Sequence, residues 1–437
     1  MEKPLRERPE NQRSTGTIDT VARCAAVLGI AFPLLLIVVF QKLGMTAFLG
    51  FAFLGITAIQ LTLHPTLPEI ILTGAAGATY YAVYRIFGGA FPLDPVFRAI
   101  GIISFVGVGS LLAMVARALW SDGGEQQRRV RGLLVGVTPI VFLAWMPAVF
   151  RIFNVADPWS YDRWLYAFDS RFGFQISFAA GRIFEHWPWL QMICALVYLG
   201  LPLAMACVYL VAPHVPDEPG LIRTFLLTGV LGGLLFHFLP AAGPVYAYTA
   251  NWPGDPPAIV AGFLAPLHLS GVRLNAIPSL HTAWGLLIFW RTRRNDVLVR
   301  VAAGLFLLFT LLATLGLGEH YVIDLVVAVP FVVGVRALCM TTAGLRSRLA
   351  VFCFTATTVG LWLSALRSGV LLHIPVVTAW GLAVVTIASA LWLDVGMGRY
   401  RLRLARKRLF VGPASFTPRF GQGPWCSRRR RQWAGVL

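Results

Sequence analysis

Charged residues are scarce in this sequence. They make up 13% of its 437 residues, whereas hydrophobic residues make up 57%. Soluble globular domains carry about 25% charged residues, nearly twice this share. The mean hydropathy is correspondingly high, at +0.71. A chain with so little charge cannot cover its surface with polar side chains, which excludes an ordinary soluble globule and predicts a protein that crosses the membrane several times.

Metal-binding patterns are also missing. The six cysteines form no CxxC pair; Cys194, Cys207, Cys339 and Cys353 fall inside or beside apolar runs, and Cys24 opens one. Such positions are typical of small core residues rather than of disulfide or zinc ligands. Clustered carboxylates, which would bind a divalent cation, are lacking as well. We therefore expect no metal and no other cofactor.

Acidic residues are absent from the C-terminal tail. From Arg399 onwards the tail carries eleven arginines and lysines, and the formal net charge of the chain is +18. Two short connections between apolar runs, EQQRRVRG and RTRRNDVLVR, are also basic. Basic residues beside apolar runs are typical of the cytoplasmic side of a membrane protein. This pattern favours a topology signal with some attraction to anionic lipids over a nucleic-acid-binding arm.

Apolar runs close to the ~20 residues that cross a bilayer recur along the whole chain. We predict an all-α fold, a polytopic membrane helix bundle of about twelve spans. The predicted spans are 21–40, 45–63, 68–87, 99–119, 131–150, 190–212, 221–240, 278–290, 298–317, 320–339, 348–366 and 371–393. No small-residue cleavage site follows the first run, so we expect it to be retained rather than removed as a signal peptide.

The basic connections predict the orientation of the bundle. With the N-terminus inside, twelve spans return the basic tail to the cytoplasm, and the connections at 117–131, 291–300 and 336–348 lie on the same side. The long connections 151–189 and 241–277 then lie outside. Three unusual helix ends, LPAAGP, NAIPSLHTAW and GEHYVIDL, share that extracytoplasmic side. We predict a multi-pass protein of the plasma (cell) membrane with both termini cytoplasmic.

The stretch GEHYVIDL places His320 and Asp324 four residues apart. In a helix this spacing puts both side chains on one face about 6 Å apart, so that the carboxylate can accept the proton of one ring nitrogen. The other ring nitrogen is then free to act as a nucleophile or a base. A buried pair that only locks two helices together is an equal alternative, although ionisable residues inside spans tend to mark functional sites.

A second histidine, His281, lies at the outer end of another predicted span. It follows Pro278 and Ser279, a sequence typical of a helix N-terminus, where free backbone N–H groups bind anions. An oxygen leaving group on phosphorus needs a proton, and a nucleophile needs an unprotonated nitrogen, which two histidines in different surroundings can supply. The two histidines, the carboxylate and this helix end together indicate a phosphoryl-transfer site.

The stretches PSLHTAW and EHYVIDL resemble the second and third signatures, P-S-x-H and H-x-x-x-D, of the type 2 phosphatidic acid phosphatase superfamily. The likeness is to the branch that contains fungal inositol phosphorylceramide synthase and the sphingomyelin synthases, and it covers residues 131–339. It implies a six-helix lipid phosphatase/phosphotransferase core. It further implies that His320 attacks phosphorus to give a phosphohistidine, that Asp324 orients the ring, and that His281 protonates the departing oxygen.

The first signature of the superfamily, K-x6-R-P, is missing here. Thr314 stands where the superfamily phosphatases have an arginine six residues before the last histidine. The sphingolipid-synthase branch lacks this cationic clamp too, and Arg273 is our candidate replacement for it. The residues that we expect to bind substrate are Arg273, Asn275, Ser279, Glu319, Tyr321, Pro240, Gly243, Pro244, Arg163 and Arg171.

The outer segment around YDRWLYAFDSRFG alternates aromatic and charged residues. Its aromatic residues run from Trp159 to Phe174, and its charged residues are Asp162, Arg163, Asp169 and Arg171. The pattern predicts an amphipathic helix that lies in the membrane interface with its aromatic side in lipid. A lid that only shields the bundle and a guide for a lipid headgroup are equal alternatives.

The predicted organisation is a cytoplasmic N-terminal segment (1–20), accessory transmembrane helices (21–120 and 348–393), a catalytic core (131–339) and a basic cytoplasmic tail (394–437). The predicted function is an integral-membrane lipid phosphotransferase that moves a phospholipid headgroup through a phosphohistidine at an extracytoplasmic site. A lipid phosphate phosphatase acting on phosphatidic acid or polyprenyl phosphates is one alternative, and a non-enzymatic multi-span transporter is another. The expected partners are a lipid-phosphate substrate and the bilayer, with no nucleic acid.

Overall fold

The computed structural model describes residues 46–121, 123–154, 159–212, 220–259, 264–341 and 343–410. The predicted first span, 21–40, and most of the basic tail lie outside these ranges. The described chain is almost entirely helical. Its only strands are two-residue segments, β1 (Trp159–Ser160) and β2 (Leu267–His268), which pair antiparallel.

Sixteen α-helices occur in the described residues. The first eight are α1 (Ala47–Thr62), α2 (Leu67–Ile86), α3 (Pro95–Ile103), α4 (Phe105–Trp120), α5 (Gly123–Asn154), α6 (Asp162–Asp169), α7 (Ile176–His186) and α8 (Pro188–Leu199). The others are α9 (Leu201–Val211), α10 (Leu221–Leu235), α11 (Pro244–Ala247), α12 (Leu280–Thr292), α13 (Val297–Gly316), α14 (Val322–Cys339), α15 (Leu345–Ser368) and α16 (Val376–Phe410). Short 3-10 helices follow α6 (Ser170–Phe172) and α15 (Val370–His373).

Within the described residues, five helical segments are long and apolar enough to cross a membrane. They are Pro95–Trp120 (α3 with α4), α13, α14, α15 and Val376–Met397 within α16. The pair α8 and α9, bent by 62° at Gly200, makes a sixth if it is counted as one span. The structure therefore supports a multi-pass helical membrane protein but not the predicted count of about twelve.

Several predicted spans form helices that are too short to cross a bilayer. The helices α1, α10 and α12 have 16, 15 and 13 residues. At 1.5 Å per residue, 15 residues reach about 22 Å, which is less than the ~30 Å hydrocarbon core. In the predicted span 221–240, the helix ends at Leu235 and the chain turns before Leu-Pro. An apolar run predicts burial, but it does not determine where the helix ends.

The N-terminal helices pack through glycines. A Cβ atom at Gly107 of α4 would lie 2.1 Å from the Phe53 carbonyl oxygen of α1, and one at Gly109 would lie 2.0 Å from that of Thr73 in α2. Only glycine permits such close approach of two backbones, which is how small residues drive helix association in membranes. Helix α4 is consequently held between α1 and α2.

An ion-pair network aligns the ends of these helices. Glu69, in the first turn of α2, lies 3.3 Å from Arg117 at the end of α4 and 3.4 Å from Arg129 at the start of α5. Arg129 is buried and also bonds to Glu125 at 2.9 Å. These contacts place the start of α2, the end of α4 and the start of α5 at the same end of the bundle. This arrangement is expected when successive spans run in alternating directions.

Helix α14 is the centre of the C-terminal half. In its most apolar window 83% of the residues are buried, compared with 22% for α13 and for α16. It packs against α15, α16, α12 and α10. Protein therefore surrounds α14, while its neighbours present apolar side chains outward. Residues placed at the first turn of α14 are held rigidly by this packing.

The opposite end of α14 carries a buried ionic cluster. Arg336 donates to Asp394 of α16, and Arg293 at the end of α12 lies 3.6 Å from the same carboxylate. The guanidinium of Arg336 also stacks over Trp290, 5.3 Å from the ring centroid. Since twelve residues separate Asp324 from Arg336, about 18 Å of helix lies between this cluster and the start of α14.

Candidate active site

Three turns meet beside the first residues of α12 and α14. They are LPAAGP after α10, the loop that leads into α12, and the turn between α13 and α14. The backbone hydrogen bonds that join them are Ala276 N–H to Ala241 C=O (2.8 Å), Ser279 N–H to Asp324 C=O (3.2 Å) and Val245 N–H to Gly318 C=O (3.0 Å). The three unusual helix ends of the sequence thus form one continuous structure.

His320 belongs to the turn and not to a helix. Gly318, with φ +75°, ends α13, and α14 begins only at Val322. The backbone N–H of His320 donates to the Thr314 carbonyl (3.1 Å), and Ser177 of α7 donates to the His320 carbonyl (3.0 Å). The prediction that His320 and Asp324 share one regular helix face is therefore wrong, because the glycine separates the two helices.

The two side chains nevertheless lie together. His320 Nδ1 is 3.4 Å from Asp324 Oδ2, and both residues are buried. The same carboxylate oxygen accepts the Tyr321 N–H at 2.8 Å, so Asp324 caps the start of α14 while it contacts the ring. A carboxylate placed at Nδ1 stabilises the tautomer in which Nε2 is unprotonated.

His281 occupies the first turn of α12. Its ring stacks on Tyr198 of α8, with 3.7 Å between centroids, and lies 6.1 Å edge-on from Trp284. Ser279 caps the helix by accepting the Thr282 N–H. Among the residues that the structure describes, His281 Nε2 is buried without a hydrogen-bond partner. A buried nitrogen without a hydrogen-bond partner raises the free energy of the folded state. Such unpaired groups occur where a side chain must remain available to a ligand.

His281 and His320 are brought towards each other by the contact between the segments that hold them. They belong to different helix starts, α12 and α14, which the bond from Ser279 N–H to the Asp324 carbonyl joins directly. The positive ends of two helix dipoles therefore lie side by side, where they favour a negatively charged ligand.

Glu319 is a further ionisable group in this turn. Its carboxylate accepts the Tyr246 hydroxyl at 2.9 Å. Burial raises the pKa of the Glu319 carboxyl, whereas the charge of His320, the Tyr246 hydroxyl and the charge of Arg273 act in the opposite direction. Arg273 is exposed but near enough to act on this carboxyl. Glu319 thus adjoins His320, and Arg273 lies within electrostatic range of Glu319.

The arginines predicted as further clamps differ in their surroundings. Arg163 is half-buried and donates to the Ala265 carbonyl at 3.4 Å. Arg171 lies in the 3-10 helix after α6, and its Nε is buried without a hydrogen-bond partner within the described part of the chain.

The LPAAGP turn supplies backbone rather than side chains. Pro240 accepts the Tyr161 N–H at 2.8 Å, and Pro244 begins the short helix α11. At Gly243, φ is +107° and a Cβ atom would lie 2.4 Å from the Glu319 carbonyl oxygen. Only glycine permits this approach. Of the other predicted residues, Asn275 is half-buried beside Ala276.

Helix α6 is enclosed by protein, which contradicts its predicted position in lipid, whereas Trp159 and Phe174 at the ends of the segment are exposed. Leu165 and Phe168 are fully buried. Phe168 packs on Trp362 at 5.6 Å, and Phe172 packs on Trp380 at 4.8 Å. The aromatic side faces α15 and α16 because their aromatic residues offer the same apolar surroundings as lipid. Periodicity alone cannot separate these environments.

Two buried aspartates of α6 were missed as site residues. Asp162 accepts the N–H groups of Ala242 (2.9 Å) and Gly243 (2.8 Å) and the hydroxyls of Ser160 and Tyr321. Burial raises the pKa of Asp162, and these four donors oppose the rise. Tyr321, which was predicted to bind substrate, directs its hydroxyl at this carboxylate instead.

The second aspartate, Asp169, accepts the N–H groups of Val322 (2.7 Å) and Ile323 (3.2 Å) at the start of α14. Burial raises its pKa well above the usual range, and these two donors act against the rise. The sequence did contain a signal, because two acidic residues occur among aromatic residues in the long connection between predicted spans (151–189). They belong to the charged side of the predicted amphipathic helix.

No group of three or more His, Cys, Asp or Glu side chains is placed to hold a metal ion in the part of the chain that the structure describes. Residues 163–338 match a family model described as the PAP2 superfamily. The match supports the type 2 phosphatidic acid phosphatase superfamily. It does not distinguish the branches of the superfamily. Comparisons with the curated proteins and with the solved structures gave no match.

The matched segment runs from α6 to the end of α14 and contains His281, His320 and Asp324. PAP2 superfamily members are generally phosphatases or phosphotransferases. Together with the apolar helices, the match indicates a membrane lipid phosphatase-type enzyme.

Proposed function

We propose that this protein is an integral-membrane lipid phosphotransferase in which His320 is the nucleophile, Asp324 orients it and His281 is the acid and base. The observation that carries the proposal is the His320–Asp324 contact of 3.4 Å at the start of α14, joined through Ser279 to the helix start that holds His281. The PAP2 superfamily match to this segment supports it.

The reaction has two steps. In the first, Nε2 of His320 attacks the phosphorus of a phospholipid, a P–N bond forms, and the P–O bond to the glycerol oxygen breaks as His281 gives that oxygen a proton. The headgroup phosphate then remains on His320 while the diacylglycerol leaves. In the second step the hydroxyl of an acceptor lipid gives its proton to His281 and attacks phosphorus, and the P–N bond breaks.

The charge around the site favours a phosphodiester donor. A phosphate monoester is a dianion and needs several cations, whereas a diester carries one negative charge. Thr314 replaces the superfamily arginine, and its hydroxyl donates to the Leu311 carbonyl at 2.7 Å rather than to the site. The half-buried carboxyl of Glu319 adjoins His320 and would repel a dianion more strongly than a monoanion. This argument favours the inositol phosphorylceramide synthase and sphingomyelin synthase branch.

The basic residues at the other end of the bundle support an extracytoplasmic site. Arg293 and Arg336 lie at the ends of α12 and α14, about 18 Å or more from the first turns that hold the histidines. Lysines and arginines favour the cytoplasmic side. We place the protein in the plasma membrane, with the basic ends in the cytoplasm and the histidines at the outer face.

The experiment that tests the proposal uses purified protein in lipid nanodiscs with a mixed lipid extract, and mass spectrometry of the products. We expect a new lipid that carries the donor headgroup, together with diacylglycerol. His320→Ala should abolish this product, and His373→Ala, an exposed histidine outside the site, should not. Release of inorganic phosphate from phosphatidic acid without headgroup transfer would instead establish a lipid phosphate phosphatase. Failure to turn over any lipid phosphate would contradict both enzymatic functions and leave the transporter alternative.

A further inference from the structure

Helix α6 carries a buried aspartate at each end. Asp162 and Asp169 are exposed by no more than 1%. Seven residues are two turns of a helix, so both carboxylates lie on the same face, about 10 Å apart. Both carboxylates bond to the same short segment, residues 321–323, which lies between His320 and Asp324. Neither aspartate contacts His320 or belongs to the reacting groups assigned above.

Asp162 joins the LPAAGP turn to the residue after His320. Its Oδ1 accepts both the Gly243 N–H and the Tyr321 hydroxyl at 2.8 Å. Its Oδ2 accepts the Ala242 N–H at 2.9 Å. Because Gly243 also packs directly on the Glu319 carbonyl, the two turns are held together on both sides of His320. A carboxylate has acceptor sites for all these donors, whereas an amide of the same shape does not.

Asp169 determines which backbone groups Asp324 caps. The first N–H groups of a helix lack partners within the helix and attract any nearby carboxylate. Asp169 satisfies Val322 and Ile323, and Asp324 therefore bonds only to Tyr321 N–H. In that position its Oδ2 also reaches Nδ1 of His320. Without Asp169, the free N–H groups would draw the Asp324 carboxylate away from the ring.

We propose that Asp162 and Asp169 are positioning residues for His320: α6 fixes the backbone of the turn from outside, and Asp169 leaves Asp324 free to orient the ring. This positioning role is defined by geometry. Its expected effect on turnover rests on the phosphotransfer function proposed above. Replacing the outer partners that orient a metal-bound histidine typically lowers metal affinity or activity 10- to 100-fold, and we expect a loss of the same order for His320. The loss should fall on kcat and leave KM nearly unchanged, since both carboxylates bond to donors of the protein itself.

The test compares Asp162→Asn and Asp169→Asn in the full-length protein in nanodiscs. The matched control is Asp255→Asn, which alters an exposed aspartate in the loop before α12. We expect kcat to fall about 10- to 100-fold in both α6 variants, with KM within about twofold of the wild type and with the control unchanged. A loss confined to KM, or an unchanged kcat, would overturn the proposal.

A double-mutant cycle separates positioning from general stabilisation. If Asp169 acts through Asp324, adding Asp169→Asn to Asp324→Asn should cause little further loss of kcat, because residues in one network are not additive. Multiplicative losses would mean that Asp169 only stabilises the fold. If Asp162→Asn does not fold, Tyr321→Phe removes one of its four donors, and the same fall in kcat with constant KM is expected.

A readout without turnover keeps this proposal distinct from the proposed function. The rate at which diethyl pyrocarbonate modifies His320, followed by mass spectrometry across a pH series, reports on the ring and its protonation. We expect Asp169→Asn to change the His320 profile and Asp255→Asn to leave it as in the wild type. If no lipid is turned over but the His320 profile shifts as expected, the phosphotransfer function fails and the positioning role stands. An unchanged His320 profile in Asp169→Asn would refute the positioning role.

Discussion

At the scale of single residues, the His320–Asp324 pair is held by a capping interaction rather than by helix periodicity. Asp324 Oδ2 lies 2.8 Å from the Tyr321 nitrogen and 3.4 Å from His320 Nδ1. One carboxylate oxygen therefore serves both the helix start and the ring. A substitution that preserves capping but removes the charge should separate these two roles.

His320→Ala should abolish phosphotransfer, and Asp324→Asn should lower kcat by about 10³-fold or more, because the amide neither stabilises a cationic or phosphorylated ring nor enforces its tautomer. The measurement is kcat in nanodiscs, with the melting temperature as a check that each variant folds. An Asp324→Asn enzyme with near-normal kcat would contradict the orienting role of the carboxylate.

Glu319 should make donor binding depend on pH. Burial raises the pKa of its carboxyl, so the group is neutral below that raised pKa and anionic above it. An anionic Glu319 repels the donor phosphate; therefore KM for the donor should rise as pH increases through this pKa. In Glu319→Gln the rise should disappear, and KM at high pH should fall below that of the wild type. Parallel KM–pH profiles for the two enzymes would rule out this role.

Arg273 should be the main cation for the donor phosphate. Arg273→Ala is expected to raise donor KM about tenfold, the effect of losing one charge-assisted hydrogen bond of ~1.5 kcal/mol. Arg163→Ala is the comparison variant, because half-buried Arg163 is an alternative candidate clamp and bonds to the Ala265 carbonyl. A larger rise in donor KM for Arg163→Ala or Arg171→Ala than for Arg273→Ala would mean that the cation that binds the phosphate lies in the α6 segment.

At the scale of secondary-structure elements, α14 connects the candidate site to the ionic cluster at its other end. Arg336 and Asp394 are both almost fully buried, and this pair joins α14 to α16. A buried ion pair adds little net stability, but removing one partner leaves an uncompensated charge. The cluster therefore determines how α16 is docked.

Asp394→Ala should destabilise the protein by about 3–5 kcal/mol, because Arg336 would remain buried beside apolar residues. Unfolding in detergent followed by circular dichroism measures this loss. Asp255→Ala is the control, since Asp255 is an exposed aspartate in the loop before α12. Adding Arg336→Met to Asp394→Ala should restore much of the stability, and a double variant as unstable as the single one would contradict the explanation.

At the scale of the whole molecule, the histidines and the basic helix ends lie at opposite ends of the same helices. His281 and His320 are at the starts of α12 and α14, whereas Arg293 and Arg336 are at their ends. The network of Glu69, Arg117 and Arg129 shows the same alternation among α2, α4 and α5. The orientation of the bundle in the membrane therefore determines on which side of the membrane each of these loops lies.

Impermeant maleimide labelling tests that orientation. In a variant without native cysteines, Asp255→Cys should be labelled in intact cells, because it lies in the exposed loop before α12. Arg294→Cys, exposed beyond the end of α12, should be labelled only after the membrane is permeabilised. The reverse pattern would place the histidines on the cytoplasmic side and refute the proposed extracytoplasmic site.

The amino-acid sequence by itself determined the helical membrane class and the segments that contain the candidate site. Scarce charge and repeated apolar runs require burial in lipid or protein, which local composition reveals. The residues His320 and Asp324 are four positions apart, so their contact has a local signal. Basic connections similarly reveal which helix ends lie together.

Only the tertiary structure decided which helices are long enough to cross the membrane, where α6 lies, and what its aspartates bind. Asp162 bonds to residues 80, 81 and 159 positions away, and Asp169 to residues 153 and 154 positions away. Such partners leave no periodic trace in the sequence. An aromatic face is equally compatible with lipid and with Trp362 or Trp380, because both surroundings are apolar. Their distinction depends on which helices pack beside α6, and packing is a property of the folded chain.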